Sequence, residues 1–231
     1  VASVNGSDTS VIRRPGGRIL SSTHASAVLD GFTLQDASYA TSAPQGGAAY
    51  MTAGTVRNCA IMNNVLQGNE TTAPMGGGIY MTGGLVENCI VATNRSEQVW
   101  GNSSSYCYGG GIYMTGGTVR NCVIRGNRTR GYGNGSSGRS APGGGIRMTG
   151  GVVENCLVVS NSVEGSLLSI RPGGGVDVAG GVLRNCTVVG NNAAGWPGGG
   201  VNNTGGTVVN CVIADNVGGI PNMSGAATYS C

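Results

Sequence analysis

Lysine is missing from this chain of 231 residues: all 13 basic side chains are arginine, and charged residues make up only 10% of it. Without lysine there is no P-loop ammonium to reach the phosphates of a nucleotide and no amine to form a Schiff base. Aromatic residues amount to 5%, with a single Phe, which is too few for an ordinary aromatic-rich globular core. The one histidine, His24, has no serine motif or cysteine partner near it in a recognisable pattern, so a catalytic triad is unsupported and a turn or surface position is its default. No apolar run approaches the roughly 18 residues that a membrane-crossing helix needs. The formal charge of +3 is small and the arginines are scattered, which gives no nucleic-acid footprint. The chain opens at Val1 with no initiator Met and no charged-then-apolar leader, and is read as a mature chain or excised fragment whose targeting segment is gone.

Glycine, by contrast, is abundant, at 45 residues, and hydrophobic residues reach 39%. The apolar content argues against disorder, and the lack of a G-X-Y period argues against collagen. What remains is an architecture that uses glycine for turns. Self-similarity identifies it. The unit GGGIYMTGGTVRNCVIRGN at 109–127 recurs with its glycines starting at Gly46, Gly76, Gly109, Gly143, Gly173 and Gly198. A cysteine keeps one register in every copy, at Cys59, Cys89, Cys122, Cys156, Cys186 and Cys211. One asparagine precedes each cysteine and a second comes after it at Asn64, Asn94, Asn127, Asn161, Asn191 and Asn216. Only the stretch after that second asparagine changes length, from 192–197 to 128–142. A fixed unit with one variable insertion marks a solenoid whose coils share a core. Its segments, such as Ile79-Tyr80-Met81, are too short for helices and are punctuated by Gly and Asn, which fits β-arcs.

These features predict an all-β fold, a right-handed parallel β-helix (β-solenoid) of about eight coils with Cys and Asn ladders and variable loops on one side. A single domain over 1–231 is expected, with irregular N-terminal coils at 1–45, six repeats at 46–216 and an incomplete C-terminal coil at 217–231. Stacking also predicts an outward charge ladder of Asp30, Arg57, Glu87, Arg120, Glu154 and Arg184, ended by Val209. A first coil falls at 27–34, with Phe32 in the cysteine position.

In its GGGI…GGTVxNCxIxGN unit the chain resembles the repeats of bacterial surface β-helix proteins of the pectate-lyase-like superfamily. It is distantly similar to the repeats of polymorphic outer-membrane proteins and autotransporter passengers. The resemblance covers roughly 27–216. It implies the fold and leaves the function open, because lyases, hydrolases, adhesins and passive stalks all use it.

The candidate sites are few. The ladder cysteines lack the paired spacing of a zinc site, and their parallel Cβ vectors suit a disulfide poorly, so they read as buried free thiols. Cys107 lies off the ladder in a variable loop, free to pair with another chain. Catalysis is not expected: no two of Asp8, Asp30, Asp36, Asp177 and Asp215 correspond between adjacent coils, and Arg120 separates Glu87 from Glu154. Tyr50, Tyr80 and Tyr113 stack outward, with Met51, Met81, Met114 and Met148 inside. The insertions carry a possible ligand surface of Trp100, Tyr106, Tyr108, Arg128, Arg130, Tyr132 and Trp196, with Arg95 and Arg139 beside it. Sequons such as Asn69-Glu70-Thr71 are expected by chance in an Asn- and Thr-rich repeat.

The reading is a non-catalytic extracellular or cell-surface structural protein, with no cofactor and no metal. It is either a subunit of a head-to-tail filament or a stalk or adhesin segment. The rival readings are a glycan-binding module that uses the loop aromatics and a polysaccharide lyase-like enzyme. Alignment of 226–231 with 206–211 places Cys231 at a seventh ladder position, with Tyr229 just before it. Val1 to Asn5, Val4 included, matches the segment that comes after a ladder cysteine. A homopolymer joined at this junction is therefore expected, with a glycan or host-surface partner at the loops.

Overall fold

The computed structural model describes residues 1–40, 42, 44–69, 72–98, 106–131, 139–165, 169–170, 172–228 and 230. Trp100, Tyr132, Tyr229 and Cys231 lie outside the described residues, as does the side chain of Arg139.

One repeat shows how the sequence makes its own corners. Ile79–Met81 is extended, with Ile79 and Met81 fully buried. After a Thr-Gly-Gly turn, Leu85–Glu87 is extended again, and Asn88 then takes φ 53°. That left-handed backbone is one asparagine tolerates better than most residues, and it turns Cys89 into the core. Ile90–Ala92 is next, Thr93 bends the chain at φ 54°, Asn94 enters the interior, and Arg95–Gln98 is the fourth strand of the coil. The opening glycines have separate steric reasons. A Cβ on Gly76 (φ 74°) would stand 2.0 Å from the carbonyl oxygen of Ile79 in its own corner, and one on Gly77 would stand 2.3 Å from Gly110 O of the next coil.

Stacked coils pair in parallel throughout. A 13-stranded sheet holds the first and second strands of each coil, and a 12-stranded sheet holds the third and fourth. Leu85, Val86 and Glu87 face Thr55, Val56 and Arg57 on one side and Thr118, Val119 and Arg120 on the other. Between the sheets runs one core of Ile, Val, Met and Cys side chains, Met51, Met81, Met114 and Met148 among them, and no helix occurs among the described residues.

The all-β parallel solenoid expected from the repeat is the fold that forms, but its stack is shorter than eight coils, at about five turns. The segment before Gly46 lacks the GGG, NC and N corners yet still stacks, its strands pairing in parallel with all four strands of the first repeat. At 1–45 the strands are Val11–Pro15, Leu20–Ser22, Val28–Asp30 and Thr33–Ala40, and beyond Ala214 only the two-residue strand Met223–Ser224 forms. The insertions also begin later than the repeat suggested. The residues after the second asparagine pair from coil to coil, Arg95 with Val65 and with Arg128, so Arg95, Arg128 and Arg130 stand on strands and not in loops.

Both chain ends lie in registers other than the aligned ones. Ala2 bridges to Asp30, while Val11, Ile12 and Arg13 pair with Thr33, Leu34 and Gln35, so the strand position after a cysteine is taken by Val11–Arg13 and not by Val1 to Asn5. Val4 is 98% exposed. At the other end Thr228 pairs with Val209, one residue later than expected, and the hydroxyl of Ser230 accepts the Cys211 N–H at 3.2 Å. Ser230 thus takes the place assigned to Cys231.

Candidate functional site

Two polar or sulfur rows run inside the stack. Asn64, Asn94, Asn127, Asn161, Asn191 and Asn216 are all buried, and each amide nitrogen donates to the next side-chain oxygen, Asn94 to Asn127 at 3.0 Å and Asn127 to Asn161 at 3.0 Å. The cysteine row is buried and without disulfides; each thiol donates to the carbonyl two residues before it, Cys89 to Glu87 O at 3.1 Å. The neighbouring ladder sulfur and burial together push Cys156 and Cys186 up to about 12, so these positions stay neutral. Cys107, expected to be available to another chain, is 0% exposed. At one end Phe32 fills the cysteine position, its N–H directed at Cys59 Sγ at 3.4 Å.

Outside, the charge row has the expected register but resolves into three separate pairs. Arg57 bonds Asp30 at 2.9 Å, Arg120 bonds Glu87 at 2.7 Å and Arg184 bonds Glu154 at 2.5 Å. Every arginine reaches toward the coil before it, and no ion pair joins Arg57 to Glu87 or Arg120 to Glu154. Asn58 and then Arg57, both hydrogen-bonded to the carboxylate, hold Asp30 below the ordinary carboxylate range.

On the first-strand face the tyrosine rings stack, Tyr50 on Tyr80 at 5.5 Å and Tyr80 on Tyr113 at 5.4 Å. The row then changes character. Arg147 comes after Tyr113 in register and Asp177 after Arg147; the two form an ion pair, and Asn202 donates to Asp177 at 2.5 Å. Tyr106 and Tyr108 stack at 6.0 Å, and Arg147 lies over the Tyr108 ring at 5.5 Å. Part of the anticipated loop surface therefore folds down onto the sheet. Trp196 sits apart, half-buried in the shortest connection, its carbonyl accepting from Gly219 N–H at 2.9 Å.

A concavity opens elsewhere. Two outward rows flank the buried asparagines, and between them opens a cleft of about 410 Å³ lined by Asn63, Val65, Thr93, Arg95, Gly126 and Arg128. Thr93 Oγ1 donates to Asn63 Oδ1 at 2.6 Å. Arg95 Nε stands 2.9 Å from Glu97 Oε2, too poorly aligned for a hydrogen bond, while Gln67 donates to Glu97 Oε1 at 2.8 Å. Arg128 pairs with Glu164 at 3.3 Å, and Arg130 lies in register between Glu97 and Glu164. Arg125, exposed, borders Gly126. Sequence reasoning had assigned no role to Glu97, Glu164 or Arg125. The signal was the period-two pattern Arg-x-Glu and Arg-x-Arg directly after the ladder asparagine.

The carboxylates do not converge. Asp36 pairs with Arg13 at 3.4 Å, Asp177 is buried against Arg147 and Asn202, and Asp215 forms a bend at φ 54°. His24 Nδ1 is engaged locally by the Ser26 hydroxyl at 2.8 Å. No known protein family, no curated protein and no solved structure matches this chain.

Proposed function

We propose that the chain is a non-catalytic structural segment of an extracellular or cell-surface protein, a right-handed β-helix of the pectate-lyase-like type that serves in a stalk or a head-to-tail filament. The observation that carries this reading is the unbroken asparagine row from Asn64 to Asn216, in which each coil is hydrogen-bonded through its interior to the next. Such a row resists bending as well as shear, because opening one coil breaks hydrogen bonds between buried amides. The acids support the same reading, since Glu87, Glu154, Asp30 and Asp177 each form an ion pair with an arginine. Axial stacking of copies would use the parallel pairing that already joins one coil to the next, a heterologous contact whose repetition gives a fibre.

The test is twofold. Purified chain incubated with acidic and neutral polysaccharides, with and without calcium, is expected to release no unsaturated or reducing-end product. Electron microscopy is expected to show straight rods or end-to-end fibres. Product above the heat-inactivated control sinks the non-catalytic reading, and flexible, bent particles sink the stalk.

A further inference from the structure

We propose that the cleft at the fourth-strand arginines is a binding site for a tetrahedral dianion, a phosphate group carried as a monoester on a small polar molecule. The first argument is the lining. Arg95 and Arg128 are register partners on adjacent coils, about 4.8 Å apart along the stack. Like charges placed directly opposite repel, and neither is relieved on the cleft side, because no carboxylate is among the described residues that line the cavity. Glu97 meets Arg95 through Nε and Glu164 meets Arg128 through Nη1. A guanidinium carries five N–H donors in a planar fork, so each arginine keeps donors for a second partner.

The neutral groups fit as well. Asn63 Oδ1 is occupied by the Thr93 hydroxyl, which leaves the Asn63 amide as a donor. Gly126 provides the room: a Cβ there would meet nothing closer than Thr93 Cγ2 at 3.6 Å. Four arginines against two glutamates in this cluster leave two positive charges, out of +3 for the whole chain. That matches a dianion better than a single carboxylate. At about 410 Å³ the cleft is of the size that holds a small molecule and larger than one oxyanion requires, which favours a monoester over a bare ion.

The experiment is an amide-resolved NMR titration at low salt with four probes: inorganic phosphate, inorganic sulfate, glucose 6-phosphate and glucose 6-sulfate. A saturable shift at Asn63, Thr93 and Gly126 is expected with glucose 6-phosphate, at a Kd about tenfold below that of inorganic phosphate. Glucose 6-sulfate, which carries a single negative charge, should bind more weakly, and equal or tighter binding by it would overturn the dianion assignment. Arg95→Gln and Arg128→Gln should each weaken binding by about tenfold or more, the loss of a charge-assisted pair. Gly126→Asp is the sharper variant. Asn63, Thr93 and Ser160 hold the same place in other coils at φ 54–55°, so a side chain is tolerated there. The new carboxylate should abolish binding, and an unchanged melting temperature certifies its fold. Shifts reproduced by sodium chloride at equal ionic strength, a bare ion binding as tightly as its ester, or undiminished binding by Gly126→Asp would each overturn the proposal.

Discussion

Asn127 shows why its ladder position requires an amide. Its nitrogen donates to Val91 O at 2.8 Å and to Asn161 Oδ1 at 3.0 Å, while its oxygen accepts from Asn94 N and Nδ2, both at 3.0 Å. Two donors and two acceptors are used, the full complement of the group, and an aspartate would lack the donors. This residue choice was legible in the sequence because it recurs in one register. The slip at Ser230 was not, since a single alignment of a short tail cannot distinguish registers one residue apart. The thiols carry a pH prediction. An ordinary thiol titrates at 9.0, and in the folded chain Cys156 and Cys186 are pushed up to about 12, first by the adjacent ladder sulfur and then by burial. The unfolded chain therefore loses these protons first as pH rises. The stability they contribute is complete below pH 9 and is lost as pH climbs toward 12. Urea midpoints tracked across that window should fall, and the fall should be shallower in Cys156→Ala/Cys186→Ala. Equal slopes in the two proteins would show that other groups, such as the tyrosines, govern the alkaline loss.

Among the elements, the second strands tell how far pattern reading reaches. Their alternating outer charges were readable because side-chain period and coil register are both fixed by the repeat. Which acid each arginine chooses was not, because that depends on sheet twist and on the lean of a long flexible side chain along the stack. The choice has a measurable consequence. A double-mutant cycle on Arg120 and Glu87, 2.7 Å apart with the arginine 43% exposed, should give a coupling of about 0.5 to 1 kcal/mol. The cycle on Arg120 and Glu154, equally adjacent in register but without an ion pair, should give a coupling near zero. Equal couplings would restore a continuous ladder in place of three pairs. The fourth strands were misread for a related reason. Arg95, Arg128 and Arg130 lie past the last invariant asparagine, where sequence similarity between coils ends but backbone pairing does not, and the cleft between them was hidden with the strand that builds it.

At the scale of the molecule, a solenoid's stability is a sum over neighbouring coils, so damage should spread only as far as the coils it touches. Gly110 and Gly126 belong to the same coil and make the contrast. A Cβ on Gly110 would stand 2.3 Å from Arg128 C and 2.3 Å from Gly144 O, backbone of its own coil and of the next. Nothing there is a flexible side-chain end, so two coils must separate to admit one methyl group. Gly126, at φ 61°, admits a Cβ at an ordinary contact distance, 3.6 Å from Thr93 Cγ2, where other coils carry Asn63, Thr93 or Ser160. Gly110→Ala is therefore expected to cost about 3 kcal/mol or more, at the upper end of core overpacking, and Gly126→Asn close to nothing. Hydrogen exchange locates the damage. In Gly110→Ala the amides of Ile112–Met114 and of its pairing partners Ile79–Met81 and 146–148 should lose protection first. Those of Thr187–Val189, two coils away, should keep it until global unfolding. If protection falls together along the whole stack, the coils form one cooperative unit and the nearest-neighbour description fails for this chain.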